Sequence, residues 1–422
     1  MAAAAMSDTD MGKALWDAAS AGKTGEVTRL LEAGAPVNWA KSDSGRTPLI
    51  TAAEKGHVGS LRVLLDRGAD LEAKASIDLT PLIVAAVGGN VDALAMLPDR
   101  GTDLEAKESH GVTALMAAAV NGHVDAMAML LDHGADLEAK ESHGVTALMV
   151  AAGNGHVDVM AMLLDRGADL DAKGIHGVTA LMAAAVNGHV DAMAMLLDHG
   201  ADLEAKESHG VTALMVAAGN GHVDVMAMLL DRGADLDAKG IHGVTALMVA
   251  AGNGHVDAMA MLLDRGADLE AKGIHGMTAL MVAAGNGHVD AMAMLLDRGA
   301  DLEAKGIDGA TALIVAARKG HVDAMAMLLD RGADLGAKDD AGKSALEWAE
   351  PKPVSSIIAG LVGHFHRSRE GARERSVRAL AAKQAELDAH VAAAEAYRTA
   401  TVAAMAALEH RVKQLEDLAQ LL

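Results

Sequence analysis

A short signature, Thr-X-Leu, begins at Thr47, Thr80, Thr113, Thr146, Thr179, Thr212, Thr245, Thr278 and Thr311, and returns as Ser344-Ala345-Leu346; every step is 33 residues. A fixed period of this size dictates an array of small supersecondary units. Each unit is too small to bury its own apolar face, so it must stack on the next. Residues 110–175 and 176–241 are identical at all 66 positions, so two units are copied as a block.

One unit, residues 146–173, is readable residue by residue. Thr146 is placed to cap a helix, and its equivalents Thr47 and Thr80 precede Pro48 and Pro81 at the first helical position. The apolar run Ala147-Leu148-Met149-Val150-Ala151-Ala152 predicts a short helix, and Gly153-Asn154-Gly155 predicts its end. A second helix over 157–165 is expected to bury Val157, Met160, Met162, Leu163 and Leu164, with Gly167 at the left-handed position that closes it. Residues 168–177 carry no helical period and predict an extended excursion with its tip at Gly174-Ile175-His176-Gly177. Helices this short are unstable singly and need neighbours. Paired alanines let those neighbours approach, and methionine fills the remaining space.

This pattern resembles the ankyrin repeat. Thr47-Pro48-Leu49, Ala52-Ala53, Gly56-His57, Leu64-Leu65 and Gly68-Ala69-Asp70 match the family motif almost completely, and the resemblance covers about residues 12–363. It implies an all-α solenoid of helix-turn-helix units with hairpin-like excursions. Residues 12–46 read as an N-terminal capping repeat, with a loop to the next unit one residue longer. Residues 47–343 read as nine full repeats, and 344–363 as a truncated last repeat whose first helix ends at Pro351 and Pro353. The chain departs from the family in two places. The His after Thr-Pro-Leu is Ile or Met here, as at Ile50, Ile83, Met116, Met149 and Ile314. The Asn of Asp-Val-Asn is mostly acidic, as at Glu105, Glu138 and Asp171, so hydroxylation of that Asn, known in the family, is expected at most at Asn38. These two changes are expected to leave the packing intact but to remove some side-chain hydrogen bonds and lower stability. The His set His57, His123, His156, His189, His222, His255, His288 and His321 is implied by the resemblance to order the turn between the two helices.

The resemblance also implies a binding surface made of the excursion tips and the outward face of the first helices. A His ladder runs along it at His110, His143, His176, His209, His242 and His275, beside a Lys ladder at Lys107, Lys140, Lys173, Lys206, Lys239 and Lys272. Packed helices sit about 8–10 Å apart, too far for neighbouring tip histidines to share a zinc ion that needs ligands at about 2 Å. No metal or cofactor is expected. The least repetitive units offer further candidates for partner contact: Trp39 and Arg46 early, Arg318 and Lys319 late. Trp39 reads equally well as a cover for the first repeat's core.

Composition narrows the function. The chain has no cysteine, which removes thiolate catalysis, disulfides and cysteine-ligated zinc. No nucleophile elbow, phosphate-binding Gly loop or unrepeated cluster of polar residues is present, so an enzyme is not expected. The net charge is −22, and residues 1–363 alone carry −23, a balance that repels nucleic acid and anionic membranes. No secretory leader or membrane-spanning segment is expected, which leaves the cytoplasm or nucleus as the expected compartment.

From Val377 a heptad period replaces the repeat. Its a and d positions include Val377, Leu380, Leu387, Val391, Met405, Leu408, Val412 and Leu415. Facing g and e positions pair Lys383 with Asp388, His390 with Glu395 and Arg411 with Glu416 in a parallel arrangement, so 377–422 predicts a parallel homodimeric coiled coil after a basic linker, 364–376. The expected function is a non-enzymatic scaffold that presents an extended surface to protein partners, twice. The alternative is a spacer whose tail carries the specific binding.

Overall fold

In the computed structural model of the protein, residues 7–349 are described. They form 21 α-helices and two short 3-10 helices. Among the described residues the only strand-like pairing is an isolated antiparallel bridge between Lys338 and Ser344. The all-α solenoid expected from the period is what the chain builds. The end of the last repeat, the basic linker and the coiled coil, all expected beyond residue 349, lie outside the described residues.

The threonines explain where each unit starts. Thr146 is extended, and its hydroxyl accepts from the Met149 N–H at 3.4 Å. The same bond recurs at Thr47, Thr80, Thr113, Thr179, Thr212, Thr245, Thr278 and Thr311. Such a cap stabilises its helix by about 1 kcal/mol. The helix then runs Ala147–Asn154, two residues further than the Gly153 break suggested. The Asn154 side chain donates to the Val150 carbonyl at 2.9 Å, and the left-handed Gly155 ends the helix instead. Gly155 answers to a second constraint: a Cβ there would stand 2.6 Å from Nδ1 of His189 in the next repeat.

The first helices are buried almost all round, with Ala147, Leu148, Met149, Ala151 and Ala152 all within the core. They can be so because a like helix packs on each side. Pro48–Glu54 packs on Pro81–Val87, and Ala246–Asn253 lies between Ala213–Asn220 and Ala279–Asn286. The second helix, Val157–Asp165, turns one face inward. Val159, Met160 and Leu163 are buried, whereas Val157, Met162 and Leu164 are half-buried, contrary to the expectation that all three are core. Val159 occupies the inner face that a helix of nine residues with one packed side can cover.

One repeat breaks the pattern. Pro98 stands where the other repeats have the second of two leucines, and the helix Val91–Met96 stops before it. Proline lacks the N–H that the helix requires there, and the chain continues as a 3-10 turn, Pro98–Arg100.

The repeats gather into two compact bodies. The first holds residues 7–184 and 189–202 of the described chain, the second 185–188 and 203–349.

Candidate functional site

The excursion tips are joined to one another by their backbones. In the first body the N–H of Ser109 donates to Ile77 O at 3.0 Å, Ser142 to His110 O at 3.0 Å and Ile175 to His143 O at 2.8 Å. In the second body Ile241 donates to His209 O at 2.8 Å, Ile274 to His242 O at 2.6 Å and Ile307 to His275 O at 2.8 Å. Each tip is itself a closed turn, as where Gly174 N–H meets Val178 O at 3.0 Å. Within each body the tips are therefore a preorganised edge, not independent loops.

Two tip chemistries share this frame. In Glu-Ser-His-Gly tips the glutamate folds under the turn. Glu141 accepts from the N–H groups of His143 and Val145 at 2.7 and 3.0 Å, and its other oxygen lies 3.1 Å from Nδ1 of His143. Glu108 and Glu207 do the same for His110 and His209. Glu108 and Glu141 are buried and Glu207 is half-buried, and they orient three of the six ladder histidines through Nδ1. In Gly-Ile-His-Gly tips, which carry His176, His242 and His275, glycine takes the glutamate's place and an exposed isoleucine precedes the histidine. Neither the glutamates nor the isoleucines stood out in the sequence. The signal was there: Glu-Ser and Gly-Ile replace one another at two adjacent tip positions, as at Glu141-Ser142 and Gly174-Ile175.

The Lys ladder also reaches along the stack. Lys107 Nζ donates to Lys140 O at 2.8 Å, Lys140 Nζ to Lys173 O at 3.1 Å and Lys206 Nζ to Lys239 O at 3.2 Å. At the base of the excursions the acidic residues that replace the family Asn keep its bond. Glu105 accepts from Asp136 N–H at 2.8 Å and Glu138 from Asp169 N–H at 2.7 Å, just as Asn38 accepts from Asp70 N–H at 2.9 Å. At this position the expected loss of hydrogen bonds does not occur, because a carboxylate oxygen accepts as well as an amide oxygen does.

The turn histidines do what the resemblance implied. His156 Nε2 lies 2.8 Å from Val120 O, His189 Nε2 3.1 Å from Gly153 O and His288 Nε2 2.9 Å from Gly252 O, each a carbonyl of the preceding repeat. In the third repeat Asn90 replaces His and donates to Ala53 O and Glu54 O at 2.9 and 2.8 Å. After most second helices stands an Arg that pairs with an acid one repeat back, with His133 and His199 in its place in two repeats. Examples are Arg166 with Asp132 at 2.8 Å and Arg331 with Asp297 at 2.7 Å.

The four unrepeated candidates fare differently. Arg46 is paired with Glu54. Trp39 is half-buried with its ring over Gly12 of the first helix, where a Cβ would stand 2.2 Å from the indole. Arg318 binds Asp308, and Asp339 at 2.6 Å, and stacks 4.8 Å from the Trp348 ring. Lys319 beside it is exposed. The Asp339 carboxylate has no exposed surface and also accepts from the Trp348 indole at 2.7 Å. Burial alone would push its carboxyl up. The Lys343 N–H, the Arg318 guanidinium and the indole outweigh this and hold it down at about 2. Arg318 and Asp339 therefore fasten the last repeat to the one before it. The heptad residues Val377, Leu380, Leu387, Val391, Met405, Leu408, Val412 and Leu415 lie outside the described residues.

A family model described as ankyrin repeats (3 copies) matches residues 3–75, 82–174, 172–240, 205–273 and 237–306, and another, ankyrin repeats (many copies), matches 295–349. The chain belongs to the ankyrin-repeat family. Ankyrin repeats generally serve protein–protein interaction. Among curated proteins the chain is similar to GA-binding protein subunit beta-1 of Bos taurus and of Homo sapiens. Each is 40% identical over 75 residues, 17% of this chain and 18% of the relative. It is also similar to the transient receptor potential cation channel subfamily A member 1 homolog of Caenorhabditis elegans, 45% identical over 67 residues, 16% of this chain and 6% of that protein. The match thus spans less than a fifth of the length of these relatives. Among solved structures, the human ASB11 ankyrin repeat domain aligns with a TM-score of 0.47 and 30% identity, covering 51% of this chain and 98% of that one. Among the described residues no helix is long and apolar enough to cross a membrane.

Proposed function

We propose that this ankyrin array is a non-enzymatic scaffold that recognises protein partners through its excursion tips and the outward ends of its first helices. The observation that carries this reading is the backbone bonding of each tip to the next, as from Ile274 N–H to His242 O. A surface fixed before its partner arrives loses little conformational entropy on binding. The charge of −23 over residues 1–363 disfavours phosphate-bearing partners. Residues 377–422 make the scaffold a parallel dimer in this reading, so that weak contacts by two copies add through avidity. The cytoplasm or nucleus is the compartment that suits such a chain.

The near-identity of the tips supports a second reading. A surface tuned to one irregular partner concentrates its strong contacts locally, whereas residues 110–175 and 176–241 repeat without change. In that reading the array is a spacer and the tail binds. Affinity capture with residues 1–363 and 364–422 as separate baits decides between them. A partner held by 1–363 and weakened by tip substitutions establishes the scaffold. Partners retained by 364–422 alone establish the spacer.

A further inference from the structure

Four isoleucines occupy the same tip position, Ile175, Ile241, Ile274 and Ile307, and the last three fall in consecutive repeats of the second body. Ile241, Ile274 and Ile307 are 56%, 53% and 68% exposed, whereas the equivalent position in the Glu tips is serine. Single exposed apolar residues need no explanation, but a row in register along one edge marks a contact surface. Backbone bonds fix the row's geometry: Ile274 N–H meets His242 O at 2.6 Å and Ile307 N–H meets His275 O at 2.8 Å.

Charge qualifies what can lie there. Two residues before each isoleucine is an exposed lysine, Lys239, Lys272 or Lys305, which makes a cationic row parallel to the apolar one on a chain of net charge −22, with Lys272 Nζ also donating to Lys305 O at 3.4 Å. The carboxylate at the end of the row, Asp308, is already held by Arg318. The acids at the base of the excursions are engaged with backbone, as Asp237 is with Asp268 N–H at 3.1 Å and Glu270 with Asp301 N–H at 2.8 Å.

Spacing selects the partner's backbone. Neighbouring first helices pack directly, which sets adjacent repeats about 8–10 Å apart. A polyproline II chain advances about 3.1 Å per residue with three residues per turn, so every third side chain returns to the same face and three residues span about one repeat, whereas a β-extended chain turns residues three apart to opposite faces.

We propose that the row Ile241–Ile274–Ile307 with its lysines binds an extended acidic peptide segment of a partner protein, with an apolar side chain at every third residue and carboxylates between. This rests on the scaffold reading and names the chemistry of its partner. The test uses the full chain and a fluorescein-labelled nonapeptide of three Glu-Leu-Pro triplets, followed by anisotropy. A control peptide of the same composition places leucine at every second residue. The triplet peptide is expected to saturate, to weaken at least about tenfold with Ile274→Ser and with Lys272→Glu, and to be unaffected by Ile175→Ser. Circular dichroism of each variant checks that the array stays folded. Equal binding of the control peptide, indifference to Ile274→Ser, or no saturation up to about 1 mM overturns the proposal. So does a fall in light-scattering mass caused by Ile274→Ser, which assigns the row to a second copy of the chain. If the peptide fails while 1–363 still captures a partner through other tips, only this inference falls and the scaffold reading stands.

Discussion

At the scale of single residues, the array is a test of which positions tolerate a left-handed backbone. The tip position before the residue that precedes each capping threonine is glycine in the other repeats, as at Gly144 and Gly243, but in the third repeat it is Asp78, with φ 61, next to Ile77 with φ 57. An L-residue in this region costs about 1–2 kcal/mol, and the exposed pair of Asp78 with Lys74 at 3.9 Å offsets little of it. Asp78→Gly is therefore expected to stabilise the third repeat by about 1 kcal/mol, seen as slower amide exchange over residues 75–97. Gly155 and Gly167 separate strain from collision. Both have positive φ, but a Cβ at Gly155 meets His189 at 2.6 Å whereas one at Gly167 meets nothing within 4 Å. Gly155→Ala is expected to cost more than Gly167→Ala by about 1 kcal/mol or more, and equal chemical-denaturation midpoints would refute the collision. The threonine caps and turn glycines were legible because each acts on its own next few residues. The buried Glu141 was not, because its role depends on a tip geometry that the neighbouring repeat helps to hold.

Among elements, the last helix of the described residues, Ala345–Ala349, is held by a cluster whose members are distant in sequence. Arg318 stood out as a candidate partner contact, yet its charge is matched by Asp308, 10 residues before it, and Asp339, 21 residues after it. No local pattern announces pairs at those separations, so the repeat fold was readable from the period while this contact was not. The Asp339 carboxyl is held at about 2, below its value in an unfolded chain. Its contribution is thus fully present above the ordinary carboxylate range and is lost as pH falls through about 2. Trp348 fluorescence is expected to shift over that acid range in the parent chain. In Asp339→Asn the shift should vanish, with the altered emission already present at neutral pH. A pH profile shared by parent and variant would show that Asp339 does not anchor the helix Ala345–Ala349.

For the whole molecule, the heptad register makes one prediction about mass. Light scattering of the full chain is expected to give twice the 43.0 kDa of one copy, and replacement of Leu387 and Leu408 by Asp is expected to halve it. An unchanged mass would remove the dimer from the proposed function and leave the ankyrin surface as it is. The doubled block, residues 110–175 and 176–241, has a heritable consequence. Removing 176–241 would join Ile175 to His242, a junction with the same flanking residues as Ile241-His242. Every cap, turn histidine and tip bond in the shortened chain would find a neighbour whose sequence already occurs beside it. Adding a third copy would be equally uneventful. Unequal recombination can thus lengthen or shorten this protein in steps of two repeats without new folding information, so that the number of tips is a trait selection can adjust before it adjusts any single one of them.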